Sequence, residues 1–289
     1  FYLVSNYLST KLKNFSIITT NKSIRNNLSK KINLIGPSST IWNTDSRYPK
    51  YLICLIYLFF FLLQNKNTLI LSFQANAYAS LLAKILGIKI ITRSNASSEG
   101  WSKSILKKIL YKIFLKIPNQ IIVNSYQFKK ELNIRFGVKA SVIYNPLNKN
   151  SIIKKSKEKV SLKFFKGKFT KIITIGRLVN QKDHLTMLKA INLIKDDNIK
   201  LLIIGDGQNK SKLVRYINKN ELSSKVKILP FKKNPYKYLI LSDIFLFTSV
   251  FEGLPNVLLE AQCLKKFIIS TNCPTGPKEI LLNGSAGDI

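Results

Sequence analysis

The chain has 289 residues, enough for two ordinary domains, and 46% of them are hydrophobic, which suits packed cores. Lys and Arg number 47 against 14 Asp and Glu, and the net charge of +33 leaves three explanations: nucleic acid, an anionic membrane surface or acidic substrate, or a Lys/Ile/Asn-rich bias on solvated faces. The lysines are spread along both halves, which favours the bias, while Cys54, Cys263 and Cys273, odd in number and without metal or redox spacing, exclude a disulfide framework and point to a reducing compartment.

From the first residue, short β-branched runs alternate with helix-like segments. They are NFSIITT, the apolar run YLICLIYLFFFLL from Tyr51 to Leu63, NTLILSF, ANAYASLLAKILG, IKIITRS, a basic amphipathic stretch, NQIIVNS and ASVIYNP. The apolar run falls short of the ~20 residues that span a bilayer, so it predicts a buried helix. The stretch WSKSILKKILYKIFLK carries Trp101, Ile105, Ile109 and Ile113 at helical spacing, flanked by Lys103, Lys107, Lys108, Lys112 and Lys116. It reads as a helix packed on the sheet with solvated lysines, or as one lying on an anionic membrane.

A charged, irregular segment, LNKNSIIKKSKEKVSLKFFKGK, breaks the alternation, which then restarts. TKIITIGRL, a helix over DHLTMLKAINLIK, IKLLIIGDG, a helix near NKSKLVRYINKN, KVKILPF, PYKYLILS, DIFLFTS, the helix NVLLEAQCL and KFIISTN follow in order. The expected architecture is α/β, two Rossmann-like doubly wound parallel-sheet domains: 1–150, a linker at 151–168, and 169–289. No signal peptide is visible; the start on Phe1 and the end at NGSAGDI read as a piece of a longer protein.

In such folds ligands collect beyond the carboxyl ends of the strands. After one strand, IGRLVNQKDH presents Gly176, Arg177 and Lys182, a fork of donors and a point charge sized for a diphosphate beside a helix start; taken alone, two more solvated bases is the simpler account. After the next, Gly205-Asp206-Gly207 permits close approach of a ligand, or is an ordinary strand-to-helix turn. FEGLPNVLLEA puts Glu252 in a turn and Glu260 in a helix whose Val257, Leu258 and Ala261 face a core. A carboxylate there needs hydrogen bonds or a cation, and the vicinal hydroxyls of a ribose are one good partner; a helix N-terminal acid plus a solvent-facing Glu260 is the plain alternative.

Taken together, GRL...QKD, IIGDG, KILPF, DIFLFTSVFEGLPNVLLEA and STNCPTGPKEILLNG resemble the donor-binding domain of the retaining glycosyltransferases of family four, with its Glu-(seven residues)-Glu signature. The resemblance covers 170–289 strongly and the first half more loosely. It implies a GT-B fold facing a cleft, an N-terminal acceptor domain and a C-terminal donor domain. It also implies a sugar passed with retention from a nucleotide-diphosphate-sugar, a UDP-sugar by preference, to a hydroxyl of a polyprenyl-diphosphate-linked acceptor, with no cofactor. Arg177 and Lys182 are implied to bind the diphosphate in place of a metal, since no Asp-x-Asp appears, and Glu260 to hold the ribose. Glu252 would lie by the transferred sugar, making Glu252, Arg177 and Lys182 the catalytic set. Gly176, Gly205 and the turn Gly253-Leu254-Pro255-Asn256 would line the donor, with the base near Pro230-Phe231.

Acceptor-side positions fall in TRSNASSEGWSK at Arg93, Asn95 and Glu99, or that segment is an ordinary connection. The single histidine, His184, reads as a surface residue in the first turn of a helix. The expected location is cytoplasmic, peripheral on the inner face of the plasma membrane. The rivals are a GT-B nucleotide-sugar epimerase, which needs more acids and histidines for proton transfer, and a basic nucleic-acid-binding protein. Against the latter, the aromatics are not interleaved with the bases, so nucleic acid is not an expected partner.

Overall fold

The structure, a computed structural model, describes residues 1–38, 42, 46–95 and 104–289, the side chains of 106 and 107 apart. It divides into two compact units, one of Phe1–Ser94, Lys103–Val123 and Leu132–Ser141, the other of Asn95–Ser102, Asn124–Glu131 and Val142–Ile289.

The first half runs α1 (Tyr2–Lys11), β1 (Ser16–Ile18), β2 (Asn33–Ile35), α2 (Arg47–Gln64), β3 (Leu69–Ser72), α3 (Asn76–Ile85), β4 (Lys89–Ser94), α4 (Ile105–Phe114), β5 (Gln120–Val123), α5 (Tyr126–Phe136) and β6 (Ser141–Val142). β3, β4, β5 and β6 lie side by side in that order, and β1 pairs in parallel with β2. The β3, β4 and β5 ladders are parallel, so each crossover carries a helix, and successive right-handed crossovers stepping the same way put α3 and α4 on one face.

The apolar run at 51–63 is not the buried helix its composition predicts. On α2 only Leu62 is fully buried; Leu55, Leu58 and Phe61 pack beside it over Ile70, Ala79, Ala83 and Ile90, while Leu52, Ile56, Phe60 and Leu63 face out. A helix apolar all round hides which side the sheet takes. The isoleucines of α4 are likewise not a packed face: Ile105, Ile109 and Ile113 are all exposed. No helix among the described residues is long and apolar enough to cross a membrane.

The second half contains α6 (Lys149–Ser156), β7 (Thr170–Ile175), a 3-10 turn over Asn180–Lys182, α7 (His184–Leu193), β8 (Ile199–Ile204), α8 (Lys210–Lys219), β9 (Val226–Leu229), α9 (Tyr236–Leu239), β10 (Ile244–Phe247), α10 (Asn256–Cys263), β11 (Phe267–Ser270) and α11 (Pro277–Ile280). The sheet order is β11-β10-β7-β8-β9, parallel throughout. β8 lies between β7 and β9 and is covered on both faces, which is why it reads as an unbroken apolar run with Leu201 to Ile204 all buried. Met187, Leu188, Leu213 and Ile217 from α7 and α8 build the core on one face; Leu239, Leu258, Ala261 and Ile280 from α9, α10 and α11 build it on the other. Residues 151–168 lie in this unit, with Ile152 and Phe165 in its core; their charged neighbours conceal both in the sequence.

Candidate active site

From β7 the chain steps outward to β8 and β9, then returns to place β10 on the other side of β7. The loops leaving β7 and β10 therefore diverge, and this is the switch point at which doubly wound sheets hold ligands. Gly176 to Lys182 follow β7, Gly205 to Gly207 follow β8, and Thr248 to Asn256 follow β10, so three of the sequence-selected groups share one carboxyl edge.

Close backbone approach fixes this edge. The Gly176 amide donates to the Ile204 carbonyl at 3.0 Å, and a Cβ on Gly205 would stand 1.8 Å from the Gly176 carbonyl oxygen. Arg177 is exposed on the turn. Lys182 is half-buried with its stem along Gly176 and its Nζ 5.1 Å from the Phe247 ring centre, and it donates to Glu252 Oε1 at 2.6 Å. Glu252 is buried; its amide donates to the Pro274 carbonyl at 2.7 Å, and Thr275 Oγ1 donates to the Glu252 carbonyl at 2.7 Å.

The loops are stitched by groups the motif reading did not select. Gln181 Nε2 donates to the Phe251 carbonyl at 2.9 Å, and the Gln181 backbone carbonyl accepts from the Val250 amide at 2.9 Å. Thr248 Oγ1 donates to the Lys182 and Asp183 carbonyls, both at 3.0 Å. Asn145 Nδ2 donates to Asn256 Oδ1 at 2.8 Å and to the Leu254 carbonyl at 3.3 Å, holding the Leu254-Pro255-Asn256 entry to α10. Glu279 accepts from the Tyr126 and Gln127 amides and, at 2.6 Å, from the Tyr144 hydroxyl, whose pKa is pushed up to about 12 chiefly by that bond. Of these, Thr275 and Glu279 lie in STNCPTGPKEILLNG and Asn145 in VIYNP, but nothing in the strings tells which atoms they meet.

Glu260 is half-buried on α10, and the Tyr236 hydroxyl donates to it. Burial pushes its carboxyl above the usual range, the Tyr236 bond opposing. Phe231 is exposed, 73% of its surface open, and its backbone is pinned by its amide donating to Asp206 Oδ2 at 2.6 Å. That bond first, and Lys210 at 2.9 Å second, hold the Asp206 carboxyl low. Asp206 thereby ties the turn after β8 to the turn after β9.

On the weaker side, Arg93 is buried in β4 of the first unit, where burial lowers its guanidinium pKa. Asn95 belongs to the second unit: its carbonyl receives Asn124 Nδ2 at 3.1 Å and lies 1.9 Å from where a Cβ on Gly253 would stand. Glu99 lies outside the described residues.

His184 is not a surface residue. It opens α7 with 4% of its surface exposed and no hydrogen-bond partner at Nδ1. The capping role falls to Asp183, which accepts from the Thr186 amide, so the ring turns inward. Burial first, then Lys182, lower its pKa from 6.5 to about 4. The unfolded chain thus binds a proton that the folded one refuses between those values, and stability is lost as pH falls through them. The expected loss is about 3 kcal/mol, at roughly 1.4 kcal/mol per unit. Urea melts from pH 7 to 4 should show it in the parent and not in His184→Leu.

A cationic wall, a carboxylate and a helix entry stand together at the switch point of a parallel sheet, the edge at which doubly wound α/β units hold their ligands. Residues 155–289 match the family described as glycosyl transferases group 1, which the chain resembles. It is 34% identical over 237 residues to an uncharacterized glycosyltransferase of Methanocaldococcus jannaschii, covering 75% of this chain and 58% of the relative. It is 32% identical over 213 residues, 70% of this chain and 57% of the relative, to a Campylobacter jejuni N-acetylgalactosamine-N,N'-diacetylbacillosaminyl-diphospho-undecaprenol 4-alpha-N-acetylgalactosaminyltransferase. The chain therefore spans under three fifths of the length of these two relatives. Among solved structures, HepE of Anabaena in complex with UDP superposes with a TM-score of 0.71 at 14% identity, over 94% of this chain and 77% of that one. A glycosyltransferase of Rickettsia africae superposes with a TM-score of 0.74 at 19% identity, over 99% and 78%. The fold is GT-B.

Proposed function

We propose that the chain is the greater part of a retaining, metal-independent hexosyltransferase that moves a sugar from a UDP-sugar to a hydroxyl of a polyprenyl-diphosphate-linked saccharide in glycan assembly. The observation that carries this reading is the Lys182–Glu252 pair at the switch point, flanked by Arg177 and the Gly253-Leu254-Pro255-Asn256 turn. In the reaction the bond from the anomeric carbon to the diphosphate breaks and one to the acceptor oxygen forms, the acceptor proton leaving with the diphosphate. Retention follows when the hydroxyl approaches on the face the diphosphate leaves. Negative charge grows on the diphosphate, and Arg177 and Lys182 are the fixed cations placed to receive it. Glu252 lies by the sugar, Glu260 takes the ribose hydroxyls, and Phe231 offers a face to the base. The UDP in HepE and the undecaprenol-linked acceptor named for the Campylobacter relative support the donor and acceptor classes.

Thermal melts with nucleoside diphosphates, and with oligonucleotides at rising salt, test the reading. UDP at about 100 times its Kd should stabilise the chain by about 2.7 kcal/mol, and Arg177→Ala and Glu260→Ala should each remove most of that gain. Without nucleotide, Glu260→Gln should be as stable as the parent or more so at pH 7. A carboxyl raised by burial costs stability above its unfolded pKa and is relieved as pH falls. Salt-sensitive oligonucleotide binding indifferent to both alanine variants would sink the reading.

A further inference from the structure

We propose that the outward face of the α2, α3 and α4 helices is a docking surface for an anionic lipid bilayer, the helices lying flat on the membrane. This goes beyond the transferase reading and does not rest on it, since none of the face belongs to the donor site.

On α2, Leu52, Ile56 and Phe60 follow at four-residue spacing along the side opposite the packed one, and Leu52 and Phe60 are 62% and 60% exposed. α3 packs beside α2 and turns out Leu81 and Ile85; α4 packs beside α3 and turns out Ile105, Ile109 and Ile113. Water-facing helices of a sheet's outer layer ordinarily present polar residues there. Three neighbouring helices with apolar outer positions make a continuous patch of the kind that marks an interaction surface.

The charge on these helices selects the occupant. Arg47 and Lys50 of α2, Lys84 of α3, and Lys108 and Lys112 of α4 are joined by no Asp or Glu on any of the three. Tyr48, 75% exposed at the start of α2, adds a ring with a polar end of the kind that sits at headgroup level. Lysines beside isoleucines fit headgroup phosphates above an acyl boundary, and each base near such a surface adds to the attraction. A second copy of the chain would bring the same positive face and a net +33 against it.

The test is co-sedimentation of the full chain with phosphatidylcholine vesicles, with and without about 30% phosphatidylglycerol, at low salt and at about 0.5 M salt. Binding is expected to the anionic vesicles at low salt and to fall in high salt. The double variant Phe60→Glu/Ile109→Glu should lower the partition coefficient at least about 10-fold, and Lys108→Glu/Lys112→Glu likewise, with the melting temperature and the UDP response unchanged. Should the glutamates disturb folding, Leu52→Ser/Ile105→Ser, at solvent-facing positions, should show the same direction of change. Equal partition into neutral and anionic vesicles overturns the proposal, as does anionic binding that none of the apolar-face variants weakens. A dimer in sedimentation velocity that those variants dissolve assigns the face to a second copy and overturns it too. So does a duplex oligonucleotide held through Lys108 and Lys112 and indifferent to Phe60 and Ile109.

Discussion

Lys182→Ala is expected to lower turnover about 10³-fold, because in the proposed reaction it removes a fixed cation from where the leaving diphosphate would gather charge; single donors to such charge are worth about 10²–10³ in kcat. The loss should appear in kcat more than in KM if Lys182 acts on the developing charge rather than on the ground state. Lys182 is also half of an ion pair with Glu252 whose side chains are only 17% and 11% exposed, so the single variant strands a carboxylate. The double variant Lys182→Met/Glu252→Gln separates the two effects: its melting temperature should recover toward that of the parent while its turnover does not. Turnover that returns with stability would reduce the lysine to a structural partner. Lys182→Arg should not substitute, since a planar fork does not fit a slot bounded by Gly176, Phe247 and Glu252.

The second large effect is expected at Gly205. An alanine Cβ there would stand 1.8 Å from the Gly176 carbonyl oxygen and 3.0 Å from its carbon, both backbone atoms that cannot swing away. The ends of β7 and β8 must part, and the 3.0 Å bond from the Gly176 amide to the Ile204 carbonyl goes with them. Overpacking of this kind costs about 1–3 kcal/mol, and Arg177 is displaced as well. Urea denaturation should register the first effect and loss of UDP-induced stabilisation the second. Gly137→Ala is the comparison: φ is +64° with nothing within 4 Å of the added Cβ, so only backbone strain of about 1–2 kcal/mol is expected and nucleotide binding should survive. If Gly205→Ala binds UDP as the parent does, the close approach of the two strand ends has no part in the site.

The parts legible in the sequence are those written locally. β7 to β11 are apolar runs closed by glycine or polar turns, and the loops after β7, β8 and β10 were visible as strings with fixed spacing. β2 leaves no such mark, because the three residues of Asn33–Ile35 are too few to carry a periodicity. The packed side of α2 is not legible either, because a helix apolar on every side gives no direction to its burial. The burial of His184 is hidden in the sequence because its neighbour Asp183 takes the cap and the ring turns inward. Asp206 meeting the Phe231 amide and Asn145 meeting Asn256 join residues 25 and 111 positions apart, and such pairs exist only once the sheet order is set.

The hydrogen bonds from Gln181 and Thr248 across the β7 and β10 loops have a thermodynamic consequence. Ordering a residue's backbone costs about 1–2 kcal/mol of conformational entropy wherever it occurs. Here the chain's own hydrogen bonds hold both loops, so that ordering is charged to folding. On the proposed reading, a nucleotide meeting loops ordered in this way would owe its affinity to its own desolvation and to contacts with Arg177, Lys182 and Glu260.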